Sequence, residues 1–250
     1  MKKIALIVFL ISAFSLSAKQ ADSLFVKANK LYQNENYTEA LAIYQQIEKN
    51  SIQSDALFYN IANANYKLNR IAPAIYYYEK TILLNSRNND AKFNLTFAKQ
   101  MALDNIEPLP KTLSQRFNNG FILKLTYNTW AWIAVGLSFL FALLFLLYHF
   151  SFSSTKKRLY FVTSILSAVF VLLTLVFAYQ NYRISKSIKY AIVFEQQTDI
   201  KTAPTLSSEV SFQLHEGTKV QLLEHLDNWD KIKIADGKTG WILSEHIKEL

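Results

Sequence analysis

The sequence predicts a multidomain membrane protein: an all-α repeat solenoid, a two-helix transmembrane hairpin and a C-terminal all-β barrel. Three observations carry this prediction. Residues 130–150 and 160–180 are apolar segments without a single Asp, Glu, Lys or Arg. Residues 21–88 contain a gapless 34-residue repeat. From residue 190 onward the pattern changes to short β-type runs with an Asp-Gly turn.

The chain opens with Met1-Lys2-Lys3, an apolar run over residues 4–14, and then Ser15-Leu16-Ser17-Ala18. A basic start, a short apolar core and small residues at its end predict a secretory signal peptide over residues 1–18. The apolar run, about 11 residues, is too short for an ordinary spanning helix. Cleavage is expected after Ser17 or Ala18, and an uncleaved anchor is the alternative. In both cases residue 20 onward is exported.

Residues 21–54 and 55–88 superpose without a gap. Leu24, Ala28, Tyr37, Ala40, Tyr44 and Ile47 of the first align with Phe58, Ala62, Ile71, Ala74, Tyr78 and Thr81 of the second. Small residues let two helices approach closely, while the bulky ones fill the seam between neighbouring repeats. The pattern resembles the tetratricopeptide repeat (TPR). It departs from that family in lacking the late proline, since Ile52 and Ser86 stand there, and in carrying Ala28 and Ala62 where glycine is usual. Pro73 falls near the start of a second helix, where its missing N–H is harmless. A third unit begins at Asn89 and stops after one helix near Asp104, giving an array over residues 21–104 with residues 89–104 as its capping helix.

The TPR resemblance implies that first helices line a concave face. Phe25, Asn29, Tyr32, Tyr59, Asn60, Asn63, Tyr66, Phe93 and Asn94 are therefore the candidate protein-binding residues. Asparagine can pair with the backbone of an extended peptide, and aromatics can take apolar side chains. Asn29 and Asn60 occupy positions used by TPRs that clamp a C-terminal carboxylate, but Phe25 and Asp90 stand where the lysines belong, which excludes that clamp. An ordinary polar face with packing aromatics is the alternative. Tyr37, Tyr44 and Tyr78 read as core.

Residues 105–129 form a linker, in which Pro108 and Pro110 end helical structure. Leu113, Phe117, Phe121, Ile122 and Leu125 then mix with Lys111, Arg116 and Lys124, a composition suited to the membrane interface, and Gly120 interrupts any continuous helix. Each apolar segment has 21 residues and spans roughly 31 Å as a helix at about 1.5 Å per residue. That matches a hydrocarbon core of about 30 Å. Trp130, Trp132, Tyr148, Tyr160 and Tyr179 sit at the ends, where amphipathic rings prefer the headgroup level. Basic residues flank the pair on all sides, so the export signal decides the orientation. The loop 151–159, with Lys156-Lys157-Arg158, is expected in the cytoplasm. Both soluble parts are expected in the periplasm, held by a two-pass anchor in the inner membrane.

In residues 190–250, runs at 220–223 and 232–234 read as strands and Asp236-Gly237 as a hairpin turn. Glu216-Gly217, Trp229 before Lys231-Ile232, and Asp236-Gly237-Lys238-Thr239-Gly240-Trp241 resemble the bacterial SH3-like domain. Trp229 is the candidate surface aromatic. Relatives of that domain bind cell-wall peptide or serve as spacers and adaptors, and the resemblance leaves both roles open. The eukaryotic proline-peptide groove motif is absent.

The net charge of +8 is unevenly spread. Residues 1–110 carry 12 basic and 9 acidic groups, residues 111–189 carry nine basic and none acidic, and residues 190–250 carry 6 basic and 10 acidic. The excess flanks the membrane segments, where it meets anionic lipid headgroups, so nucleic-acid binding is not expected. The chain has no cysteine, and His149, His215, His225 and His246 stand in no metal-ligand spacing. No nucleophile elbow or phosphate loop is present, so neither catalysis nor a cofactor is expected. Taken together, the order of parts resembles the BatE type of the Bacteroides aerotolerance (Bat) operon family. The resemblance implies protein partners among membrane-bound Bat proteins, including those with von Willebrand A domains, in envelope integrity or stress tolerance.

Overall fold

The structure, a computed structural model, describes residues 21–50 and 53–250. The signal peptide expected over residues 1–18 lies outside them. The chain divides into two compact units, one formed by the segments up to Pro108 and from Lys189 onward, the other by Leu109–Ile188.

The first unit begins with five helices: α1 (residues 21–33), α2 (Tyr37–Lys49), α3 (Asp55–Lys67), α4 (Ile71–Leu84) and α5 (Asn89–Gln100). The 34-residue repeat is visible in their local chemistry. Ser54 caps α3 by accepting from Leu57 N at 3.1 Å, and Asn88, one repeat on, caps α5 by accepting from Ala91 N at 2.9 Å. Each supplies an acceptor to an amide that the first helical turn leaves unpaired. The turns repeat too. Glu35 (φ 64°) and Asn69 (φ 58°) are both left-handed and close the α1–α2 and α3–α4 connections. Ala28, Ala62, Ala40 and Ala74 are fully buried, and their small side chains set how closely the helices pack. At the last helix the pattern turns polar. Lys92 and Thr96, exposed on α5, stand one repeat on from the buried Phe58 and Ala62. A polar outer face lets a stack of repeats end in water.

The unit is completed by strands β1 (Lys189–Val193), β2 (Gln197–Lys201), β3 (Val210–His215), β4 (Lys219–Leu226), β5 (Trp229–Lys233), β6 (Thr239–Leu243) and β7 (Ile247–Glu249). They form one antiparallel sheet in the order β3-β2-β6-β5-β4-β1-β7. The expected barrel is therefore not closed, because β3 and β7 end the sheet without pairing to each other. The core is Ala191, Val193, Ile200, Leu214, Val220, Ile232, Ile234 and Ile242, with Ile106 packed against it. Gly240 lies where β2 and β6 meet, and a Cβ there would stand 2.4 Å from Ile200 Cγ2 and 3.0 Å from the Lys201 carbonyl. Only glycine permits that approach. The Asp236-Gly237 turn joins β5 to β6, with Lys238 N–H donating to Asp236 Oδ1 at 3.0 Å.

The second unit contains α6 (Leu113–Gly120), a 3-10 turn (Ile122–Lys124), α7 (Tyr127–Phe150) and α8 (Ser154–Ser187). Thr112 and Gln115 form a capping box at the start of α6, which ends at Gly120. Both α7 and α8 are long and apolar enough to cross a membrane. They exceed the 21-residue segments because Thr126 caps α7 early through Thr129 N, and because α8 continues helically into polar sequence at both ends. The predicted loop 151–159 accordingly shrinks to three residues. The burial is inverted relative to a water-soluble bundle. Ser164, Ser167, Thr174 and Asn181 of α8 are buried, whereas Val162, Leu172 and Val176 are more than half exposed. Ser167 Oγ donates to the Leu137 carbonyl at 3.0 Å, tying α8 to α7. Asn181 Nδ2 donates to the carbonyls of Ile122 (3.0 Å) and Leu125 (2.6 Å), and Trp130 Nε1 donates to Ile122 O at 2.9 Å. These bonds pin the 3-10 turn against both helices, with Phe121, Trp130 and Phe177 in mutual ring contact.

Candidate functional site

Two hydrogen-bonded trios line one face of the helical layer. Asn29 Oδ1 accepts from Tyr44 Oη–H (2.7 Å) and from Asn60 Nδ2 (2.9 Å). One repeat on, Asn63 Oδ1 accepts from Tyr78 Oη–H (2.6 Å) and Asn94 Nδ2 (3.0 Å). Asn94 Nδ2 also reaches Tyr59 Oη at 3.2 Å. The trios exist because α1, α3 and α5 present the same helix positions side by side, while the tyrosines rise through the core from α2 and α4. Among the described residues, no hydrogen bond occupies Nδ2 of Asn29 or Asn63, nor Oδ1 of Asn60 or Asn94. Each trio therefore leaves one amide nitrogen and one amide oxygen unused.

Beside the second trio lies a cavity of about 330 Å³ lined by Tyr32, Tyr59, Asn63, Tyr66, Lys67, Tyr78, Asn94 and Phe97. It gathers five of the residues singled out from the sequence: Tyr32, Tyr59, Asn63, Tyr66 and Asn94. Asn29 and Asn60 join through the first trio. Phe25 does not line the cavity; it is partly buried against Tyr44, ring centroids 5.9 Å apart. Phe93 is 65% exposed and stands edge-on to Phe97 at 4.8 Å.

Sequence reasoning missed Tyr44, Tyr78, Phe97 and Lys67 as parts of this face. Tyr44 and Tyr78 are core, both 1% exposed, yet their hydroxyls orient the asparagines. Phe97 occupies the repeat position of Asn29 and Asn63, a comparison that would have found it. Burial raises the hydroxyl pKa of both tyrosines, that of Tyr44 to about 12, so they remain neutral donors.

A second cluster joins the helical layer to the sheet. Glu79, buried on α4, accepts from Lys99 Nζ of α5 (2.9 Å) and Lys219 Nζ of β4 (2.8 Å). Burial alone would raise the Glu79 carboxyl, but the two ammonium groups outweigh it and hold it below the ordinary range. Asp104 accepts from the backbone N–H of His215 (2.7 Å) and the Thr218 hydroxyl (2.6 Å), with His215 Nδ1 at 2.7 Å. Here too burial pushes upward, and the hydrogen bonds overcome it and lower the pKa. Gly217 sits between these contacts at φ +87°, where a Cβ would stand 2.9 Å from Ile75 Cδ1. Ile192 of β1 belongs to the helical core, and Phe194 packs edge-on to Tyr76 at 5.7 Å. These contacts make the sheet part of the helical unit, not an independent appendage.

With that geometry, the sheet takes a family. Residues 197–248 match the bacterial SH3 domain. The chain matches no curated protein. The match leaves out β1, which is nevertheless an interior strand of the sheet: Ala191, Ile192 and Val193 are fully buried, and the strand pairs with β4 on one side and the edge strand β7 on the other. Trp229 needs correction. It is 9% exposed and closes the β4–β5 hairpin opposite Leu226, so the SH3 domain spends it on its own packing, and it is not the surface aromatic expected. Trp241 is buried as well. The face of the helical layer offers paired amide donors and acceptors, aromatic walls and one exposed ammonium at Lys67.

Proposed function

We propose that the chain is a non-enzymatic, membrane-anchored scaffold of the cell envelope whose helical layer is a TPR array holding an extended segment of a protein partner. One observation carries this reading: the Asn–Tyr–Asn trio repeated beside the 330 Å³ cavity. A peptide group offers one N–H and one C=O, and each trio offers the complementary acceptor and donor. Tyr32, Tyr59, Tyr66 and Phe97 supply apolar walls for side chains. The order of parts supports a BatE-type role, with Bat proteins bearing von Willebrand A domains as partners in envelope integrity and aerotolerance.

In this reading the exported array and the SH3 domain face the periplasm, and α7 and α8 cross the inner membrane twice. Support comes from the first unit, which draws on sequence before and after the two apolar helices and so requires an even number of crossings. The polar seam and apolar exterior of α8 also suit lipid as the surrounding solvent.

The test is photo-crosslinking in membranes with a reactive group at position 59, comparing the parent with Asn63→Arg, which fills the groove, and Glu39→Gln, outside it. Partner adducts are expected to disappear with Asn63→Arg alone. Unchanged adducts in that variant sink the proposal. For topology, Ser153→Cys is expected to resist an impermeant thiol reagent in intact spheroplasts while Ser208→Cys reacts, and the reverse labelling overturns the orientation.

The match to the bacterial SH3 domain favours a second reading, a cell-wall sensor or tether binding peptidoglycan. Purified first-unit protein that stays in the supernatant when sacculi are pelleted eliminates it.

A further inference from the structure

The short connection between α7 and α8 borders an open surface pocket that the scaffold role does not use. It measures about 500 Å³ and is lined by Tyr148, Phe152, Ser154, Lys157, Arg158 and Phe161. Its walls are of two kinds. Lys157 and Arg158 are exposed cations, and Ser154 adds a hydroxyl. Tyr148 and Phe161 form a tilted ring pair 5.4 Å apart, with Lys157 Nζ 6.0 Å from the Tyr148 centroid, and Phe152 is entirely exposed.

The charge around this pocket is not balanced from within the chain. No acidic residue occurs between Glu107 and Glu195. Among the described residues, no carboxylate lies within 4.0 Å of Lys156, Lys157 or Arg158, as for the other basic residues of this acid-free stretch except Lys189, which pairs with Glu249. The cations of this pocket are therefore open to an anion from another molecule. Two cations and a hydroxyl call for a compact oxyanion. Three aromatic walls, one fully exposed, call for a ligand whose anionic head continues into apolar chain. A free phosphate satisfies only the first requirement.

We propose that this pocket is a headgroup site for an anionic phospholipid. Lys157 and Arg158 pair with the phosphodiester, the Ser154 hydroxyl donates to it, and Tyr148, Phe152 and Phe161 take the glycerol backbone and the first acyl carbons. The site rests on the reading that α7 and α8 lie in a membrane, but it is defined by the protein's own side chains and persists in detergent.

Native mass spectrometry of the full chain in detergent, with phosphatidylglycerol, phosphatidylcholine or soluble glycerol 3-phosphate added, tests it. Phosphatidylglycerol is expected to be retained over both other ligands. Lys157→Gln with Arg158→Gln is expected to cut retention by about fivefold per basic residue removed, following the roughly 1 kcal/mol that each contributes near an anionic surface. The pair Arg183→Gln with Lys186→Gln changes net charge equally and should leave retention intact. Equal losses in the two double variants make the effect one of overall charge and overturn the site. Equal retention of phosphatidylcholine or glycerol 3-phosphate overturns it as well. Because the cysteine-accessibility test reads membrane crossing independently, failure here and failure of the membrane reading are distinguishable.

Discussion

Asn29 and Asn63, one 34-residue repeat apart, occupy the same hydrogen-bonding position, each accepting from a tyrosine 15 residues later and an asparagine 31 residues later. The repeat is thus one of polar geometry as well as of packing. A buried tyrosine holds each asparagine oxygen, which turns the amide nitrogen to the open face.

Removing one hydroxyl tests that coupling. Tyr78→Phe keeps the packed ring but deletes the 2.6 Å bond to Asn63. A cost of about 1 kcal/mol is expected in urea unfolding of the first unit, typical of one hydrogen bond. Crosslinking at position 59 should fall in parallel, because Asn63 then keeps only its bond to Asn94. Full crosslinking with reduced stability would show that the hydroxyl does not orient the amide.

Glu79 is the charged centre of the joint between helices and sheet. Glu79→Ala is expected to cost about 2 kcal/mol, since it removes two charge-assisted bonds and leaves two lysines to re-solvate. Hydrogen exchange should report the loss in β1 and β4 first. A double-mutant cycle with Lys219→Ala should give a coupling energy, and additive effects would show that the pair contributes nothing beyond its separate parts.

Acid should open the same joint. Glu79 and Asp104 lie below their ordinary values of 4.5 and 3.8, so between the ordinary and the lowered values the folded state binds fewer protons than the unfolded. Their stabilisation is complete above the ordinary values and is lost as pH falls through the lowered ones. Protease susceptibility of the 101–108 segment is expected to rise below about pH 4 in the parent. The rise should be much smaller in Glu79→Gln with Asp104→Asn, which lacks both carboxylates.

Gly217→Ala meets two obstacles, a left-handed φ of +87° and the Ile75 methyl at 2.9 Å. The methyl can swing aside, so the backbone dominates, and a loss of about 1 kcal/mol is expected in denaturant unfolding. Gly120→Ala, with open space around its Cβ, is the matched control.

The family match suggests cutting the SH3 domain at residue 197, but the structure predicts that this fails. A fragment of residues 197–250 lacks β1, exposing the edges of β4 and β7 and a core built around Ala191 and Val193. It is expected to show no cooperative thermal transition by circular dichroism. Cooperative unfolding of 197–250 matching that of 189–250 would contradict the need for β1.

Much of this architecture was legible in the sequence for simple reasons. Two charge-free stretches announce themselves, and an Asp-Gly turn between β-type runs is a local signal. What escaped was non-local. Lys189–Val193 lacks the alternation of a half-exposed strand because Ala191, Ile192 and Val193 are all buried, and it directly follows a long helix. Trp229 beside a turn resembles a displayed aromatic until the hairpin closes over it. The Asn29 and Asn63 pairings join helices that no local pattern connects, although the constant spacing was present in the sequence. Glu79 and Asp104 look like ordinary surface charges on a helix and beyond its end. Only the docking of residues more than a hundred positions later makes Glu79 a buried partner and Asp104 a partly buried one.

That docking sets a timetable for biogenesis. Lys219 follows Glu79 by 140 residues, and both apolar helices lie in between. At about 5–20 residues per second, the ribosome delivers Lys219 roughly 7–28 s after Glu79. During that interval the helical layer has a carboxylate without its second cation, and its apolar patch around Tyr76 has no Phe194. In the two-pass reading proposed above, the chain threads out and back through the insertion machinery before its first domain can finish folding. On that reading, completion of the joint between helices and sheet would follow only after both helices have been inserted.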